Sequence, residues 1–225
     1  MISGASDEVK RARPLRADAK LNRDRIVAAA AELFAERGLS APLEEIATRA
    51  GVGVATLYRR FPTRADLAGA VFERNISGYS DAVDRALASP SPWAGFRTLI
   101  FELCELQAGD AGLRDLLTTQ FPASSEVERR TTEAVEKVRE LIGHAQREGR
   151  LRPDVAAADV VVMLLANAGV LRATGGTAPG AWRRFAALMV EAFRARPDGP
   201  ERALPPAPPE QELRQSIALL TGRVD

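Results

Sequence analysis

The sequence predicts an all-α protein, and three observations carry that expectation. Apolar residues recur three or four positions apart along most of the chain, no stretch of any length alternates as a strand would, and Ala, Leu, Arg and Glu are abundant. Aromatics are only 5% of a 225-residue chain that is 46% hydrophobic. Long strands lean on Val, Ile, Thr and aromatics, whereas Ala, Leu, Arg and Glu are strong helix formers. The hydrophobic content is ample for a packed core, and the length has room for one large or two small domains.

The elements follow in order. Residues 1–20 lack hydrophobic periodicity and carry Lys10, Arg11, Arg13, Arg16 and Lys20, which predicts a flexible basic arm. Asn22 is the expected N-cap of a first helix, with Ile26, Ala29, Ala30, Leu33 and Phe34 on one face and Gly38 as its stop. Pro42 opens a shorter helix with Leu43, Ile46, Ala47 and Ala50 inward, ended by Gly51; a third runs from about Val54 to Arg60, closed by Phe61 and Pro62. Thr63 caps a long fourth helix to about Leu87. Ser89-Pro90-Ser91-Pro92 breaks it, and helical patterns resume over 93–108, 111–121 and 124–148. After Gly149 to Pro153 two further helices are expected, over 156–173 and 179–195. Pro197 to Pro209 reads as an extended linker before a short terminal helix at 210–220. The expected division is an arm over 1–20, a three-helix DNA-binding unit over 21–64, a helical body over 65–196 entered by the connecting helix 63–87, and a Pro-rich linker with terminal helix over 197–225.

Charge and rare residues narrow the function. The formal net charge of +1 hides a division: residues 1–64 hold twelve Lys/Arg against eight Asp/Glu, and the remainder nineteen against twenty-two. A basic head on a mildly acidic body suits a head that meets a polyanion. Cys104 and His144 are the only residues of their types. An intrachain disulfide, a cysteine zinc site and a His-dependent triad are therefore excluded. There is no Gly-rich phosphate loop, nucleophile motif or metal-ligand spacing, so neither an enzyme nor a cofactor is expected. The N-terminus carries no apolar signal segment, and the most apolar stretch, Val160 to Leu171, is too short to span a bilayer. The expectation is a cytoplasmic protein with no membrane partner.

The motif that carries function is a helix-turn-helix. It needs a small residue where the second helix crosses the first, a turn residue tolerant of positive φ, and an apolar anchor in the second helix. Ala47, Gly51 and Leu57 supply these, with Ile46, Ala50 and Val52 around them. The wider run LEEIATRAGVGVATLYRRFPTRADL, Leu43 to Leu67, together with RIVAAAAELFAERG, Arg25 to Gly38, resembles the TetR family of transcriptional regulators. GRLRPDV, Gly149 to Val155, is a weaker phrase of the same kind. There are departures. Arg64 stands where the family usually has Lys, Leu39-Ser40-Ala41-Pro42 is shorter and lacks the usual Thr, and Gly53 replaces a common Ser.

In such a motif the third helix enters the major groove. Val54, Ala55 and Thr56 are its base-edge candidates. Tyr58, Arg59 and Arg64 are candidate phosphate contacts, with Thr48 and Arg49 as further ones. The resemblance implies an N-terminal helix-turn-helix domain joined to a C-terminal helical domain that binds a ligand and dimerises through the last two long helices. Val161, Leu164, Leu165, Ala168, Leu188, Met189 and Ala192 are the interface candidates, on helices apolar on more than one side. Trp93, Phe96, Ile100, Cys104, Phe121, Asn167 and Trp182 are the candidate ligand contacts. The implied partners are a double-stranded DNA operator, a small-molecule effector and a second copy of the chain. The implied function is a repressor released from a palindromic operator by a small, largely hydrophobic ligand. Two alternatives stay open: the same fold as an interaction protein that no longer binds DNA, and a helical enzyme.

Overall fold

The computed structural model describes residues 5–117, 125–196, 203–209, 212, 213 and 216. Nine helices are described, in the order α1 Ala5–Arg37, α2 Leu43–Ala50, α3 Val54–Arg60, α4 Arg64–Leu87, α5 Pro92–Gly109, α6 Ala111–Leu117, α7 Ser125–Arg147, α8 Ala157–Thr174 and α9 Ala181–Phe193. Among the described residues the one β feature is an isolated bridge, Leu151 to Arg194.

Local chemistry explains the boundaries. Thr63 caps α4: its hydroxyl accepts from the Asp66 N–H while the Asp66 carboxylate accepts from the Thr63 N–H, 3.0 Å away. Ser91 caps α5, and Pro92 occupies its first turn, where a missing N–H costs nothing. Glu148 reinforces that end from beyond α7, accepting the Ser91 hydroxyl at 3.1 Å and the Trp93 N–H at 2.8 Å. Its negative charge sits where the helix dipole favours an anion.

One boundary differs from the sequence expectation. α1 begins at Ala5, so the backbone over 5–20 is helical rather than a loose arm, and Asn22 lies inside the helix instead of capping it. Hydrophobic periodicity reports a buried face, not helicity. A stretch of Ala, Arg, Lys, Leu and acidic residues forms helix without any apolar stripe. Pro14 costs that stretch a ladder donor and crowds the carbonyl four residues back, yet the backbone is helical through it. The expected terminal helix over 210–220 falls mostly outside the described residues.

Two cores result. The head packs Ile26, Leu33, Phe34, Ile46, Leu57 and Leu67, all fully buried, where α1, α2, α3 and the start of α4 meet. The body packs Phe96, Leu99, Ile100, Leu141, Leu151 and Ala186 from α5, α7, the loop after it and α9, against the later part of α4. Phe72, in the middle of α4, packs against both cores, so α4 ties them together.

Candidate nucleic-acid interface and effector region

The helix-turn-helix is built as its residue types require. Gly51 caps α2 at φ 68° and ψ 34°, a left-handed conformation that costs an L-residue its Cβ clearance. A Cβ at Gly51 would meet nothing within 4 Å, so the dihedral and not crowding calls for glycine. Ala47 is buried at the crossing, and Leu57 anchors α3 with no exposed surface. With Leu57 inward, the opposite face of α3 is turned to solvent: Tyr58 is 44% exposed and Val54 38%, with Ala55 and Arg59 beside them. Gly53 precedes α3 without a side-chain cap.

The polar candidates divide. The half-buried Thr56 accepts a hydrogen bond from Arg59 Nη2 at 3.1 Å, so these two act as one unit. Thr48 donates to the Glu44 carbonyl at 2.9 Å. Arg49 reaches back to α1, 3.2 Å from Glu36 and 3.8 Å from Glu32. Arg64, expected at a phosphate, is part-buried, and its Nη1 donates to the carbonyls of Leu39 at 2.6 Å and Ala41 at 2.5 Å. The reason lies upstream. The left-handed turn at Gly38, φ 73°, ends α1 and takes these carbonyls out of helical register, and a guanidinium can serve two acceptors at once. Arg64 thus stitches the start of α4 to the α1–α2 turn.

The effector candidates that the structure describes are spread along α5 and the helices against it, and do not gather at one point. Phe121 lies outside the described residues. The other six are all buried. Trp93 stacks on Phe96 with centroids 6.1 Å apart, and Phe96 meets Phe193 edge-on at 5.9 Å. This is a closed aromatic core near the start of α5. Cys104 and Asn167 lie toward the other end: at the helical rise, Trp93 and Gln107 are about 20 Å apart along α5. Trp182 belongs to that second end, since its neighbour Arg183 reaches Glu105 at 3.7 Å. Burial pushes the Cys104 thiol up to about 12, which removes the thiolate a redox sensor needs.

Sequence reading missed Gln107. It is fully buried, donates from Nε2 to the Leu164 carbonyl at 3.2 Å, and accepts from Asn167 Nδ2 at 2.7 Å. A lone amide three residues after Cys104, on an otherwise apolar stripe, was the available signal. Asp115 and Gly112 of α6 were missed as well. Asp115 accepts the Leu39 N–H at 3.1 Å and lies 3.6 Å from Arg172 of α8. A Cβ on Gly112 would come within 2.7 Å of Phe34 Cβ. α6 is therefore a second joint between head and body, beside α4.

On the face expected to pair, Leu188 is 51% exposed and Val162, not singled out from sequence, 42%. Ala192 is exposed, and Val161, Leu164, Leu165 and Met189 are half-buried. Ala168 is enclosed by its own chain, which removes it from that face. α8 is also longer than the apolar dozen read from sequence: its 18 residues have a mean hydropathy of 1.5, enough by length and composition to cross a membrane, although they include Asp159, Asn167 and Arg172.

Comparison with known proteins follows the same division. Residues 26–71 match the family described as bacterial regulatory proteins, tetR family, and residues 91–195 match the SbtR-like transcriptional regulator C-terminal domain. An HTH-type transcriptional regulator of Staphylococcus aureus is 41% identical over 63 residues, 28% of this chain; the match spans only 34% of that relative's length. A TetR transcriptional regulator from Streptomyces coelicolor superposes with a TM-score of 0.51 at 28% identity, covering 77% of this chain and 98% of that one. A gamma-butyrolactone receptor (ArpA-like protein) does so with a TM-score of 0.53 at 25% identity, covering 76% and 85%. Head and body both match, and the chain belongs to the TetR family: it is a DNA-binding transcriptional regulator and not an enzyme.

Proposed function

We propose that two copies of this chain hold their α3 helices against a palindromic operator in the cytoplasm, and that a small, largely hydrophobic molecule in the body releases them, making the protein a ligand-released repressor. The observation that carries the DNA reading is the outward face of α3, where Val54, Ala55 and Tyr58 stand in solvent opposite the buried Leu57. Val54, Ala55 and the Thr56–Arg59 pair meet base edges, and Tyr58 meets a phosphate. Arg49 and Arg64 act from behind, holding the reading unit together. Pairing is supported by α8. Its mean hydropathy is 1.5, yet only 39% of it is buried within the chain, and Val162 on α8 and Leu188 on the neighbouring α9 stand exposed. The likeness to a protein named as a gamma-butyrolactone receptor supports an organic effector. Both α4 and α6 carry the body's state to the head. DNA fixes the spacing of the two α3 helices, so an effector that favours another spacing weakens DNA binding, and DNA weakens effector binding by the same factor.

Operator selection by repeated binding tests this. Half-sites about 34 Å apart with two-fold symmetry are expected, together with a steep fall of affinity with salt. Tyr58→Phe weakens every site alike, by about 1 kcal/mol. Val162→Arg with Leu188→Glu yields a monomer by sedimentation and loses tight operator binding. Selected sites without two-fold symmetry, or a charged double variant that remains a dimer, would overturn the arrangement.

A further inference from the structure

Hydrogen-bond bookkeeping in the body points to the chemistry of the effector. Gln107 and Asn167 are the two buried polar side chains among the described residues, both with no exposed surface. Their orientation follows from what they touch. The Leu164 carbonyl can only accept, so Gln107 must turn its NH2 toward it. Gln107 Oε1 can then only accept, so Asn167 must turn its own NH2 toward Gln107. The relay leaves Asn167 Oδ1 with no partner among the described residues, an acceptor held facing away from Gln107. A second buried atom without a partner is the Tyr79 hydroxyl. Tyr79 belongs to the same core, on α4; burial raises its pKa first, and Asp110 and Cys104 add to the rise, so it stays a neutral phenol near the α5 stretch that also carries Gln107. A buried polar atom left unmade is costly, and each one calls for an explanation, a bound group among them. Among the described residues no charged residue is fully buried, although Arg114 of α6 buries its Nε, and the negative charge of Asp110 reaches Tyr79 and disfavours an anion there.

We infer that the body's site, where α5 packs against α4 and against α8, takes an uncharged, predominantly apolar molecule that bears a hydroxyl. The hydroxyl donates to Asn167 Oδ1 and its oxygen accepts from Tyr79, while the apolar remainder packs among the core side chains. This rests on the reading that the body binds an effector. It adds that the effector is an alcohol or phenol, neither an anion nor a plain hydrocarbon.

The test uses the full-length protein and three matched probe series: alkanols and alkylphenols of four to ten carbons, their methyl ethers, and the corresponding carboxylates. Titration calorimetry reads each affinity. The hydroxyl probes bind at least about ten-fold more tightly than their ethers, because only they can donate to Asn167, and the carboxylates bind weakest. Replacing both relay members together, Gln107→Leu with Asn167→Leu, removes the orphan acceptor without stranding its partner, and the alcohol-to-ether ratio falls to about one. Tyr79→Phe behaves differently. It weakens alcohol and ether alike, since either oxygen accepts from the phenol, and keeps the ratio. Equal binding of alcohols and ethers by the native protein, a carboxylate preference, a ratio that survives the double replacement, or no binding by any series overturns the inference. Hydroxyl-selective binding that leaves operator affinity unchanged supports this chemistry while removing the ligand-released switch.

Discussion

The head and the body both cap their helices with side chains, but they differ in what they leave unpaired inside. In the head, Arg64 closes two backbone carbonyls, Arg49 bridges to α1, and Thr63 and Asp66 cap α4 reciprocally. In the body, Tyr79 and Asn167 bury an oxygen each with no partner among the described residues. A reading unit must present one fixed geometry to DNA, and satisfied polar contacts supply that rigidity. A unit that changes state needs groups whose satisfaction depends on something arriving. On the function proposed above, completeness of hydrogen bonding would separate the part that reads DNA from the part that answers an effector.

The strongest way to break the comparison is to damage the body's closed end. Phe96→Ala removes a side chain with no exposed surface, held between Trp93 and Phe193. A loss of about 3–5 kcal/mol is expected in urea unfolding. A loss under about 2 kcal/mol would show that this end can collapse around a hole, and that it is no more closed than the effector end.

The joint comes next. Gly112→Val places carbon where Phe34 already stands, 2.7 Å from its Cβ and 3.0 Å from its backbone. Relief must come from moving α6 away from α1, at a cost of about 1–3 kcal/mol. The variant should also uncouple effector binding from operator release, measured as the ratio of operator affinities with and without effector. A lowered melting temperature with that ratio unchanged would return the whole coupling to α4.

Arg64 sharpens the contrast from the head's side. Arg64→Met strands the Leu39 and Ala41 carbonyls and should cost about 1–3 kcal/mol of stability. Arg64→Lys, a point donor in place of a fork, should recover part of it. If thermal melting stays unchanged while operator affinity falls, Arg64 is a phosphate contact first and a stitch second.

The smallest effect lies at Asp154. Arg152 hydrogen-bonds its carboxylate and the Leu204 N–H adds to it at 2.9 Å, together lowering its pKa from 3.8 to about 2. A depressed carboxylate contributes fully above its ordinary value and loses that contribution as pH falls through the folded one. The tether to Leu204 should therefore hold at neutral pH and fail between pH 3.8 and about 2. The Leu204 amide should exchange with solvent faster across that window, and in Asp154→Ala at any pH. The pair is near the surface, so melting at pH 7 should barely move. Unchanged exchange in the variant would show that Asp154 does not hold this segment.

The sequence by itself determined the helical class, the stops at Gly38 and Gly51, the Thr63 cap and the outward face of α3. Each depends on local chemistry: a left-handed dihedral, a hydroxyl one turn from a free N–H, an apolar spacing of three and four. It misjudged residues 5–20, because periodicity detects burial and that part of α1 has no apolar stripe. Only the tertiary structure decided which effector candidates stand together. Trp93 and Asn167 are both polar-capable residues on apolar helices, and nothing local says that one packs into a ring cluster while the other bonds Gln107 sixty residues away. The same holds for Arg64, whose partners lie 23 and 25 residues back, and for Gly112, whose meaning is the Phe34 side chain against it. These contacts join residues distant in sequence. Their energies arise from mutual burial and from the matching of donors to acceptors, and no window of neighbouring residues contains both halves of such a match.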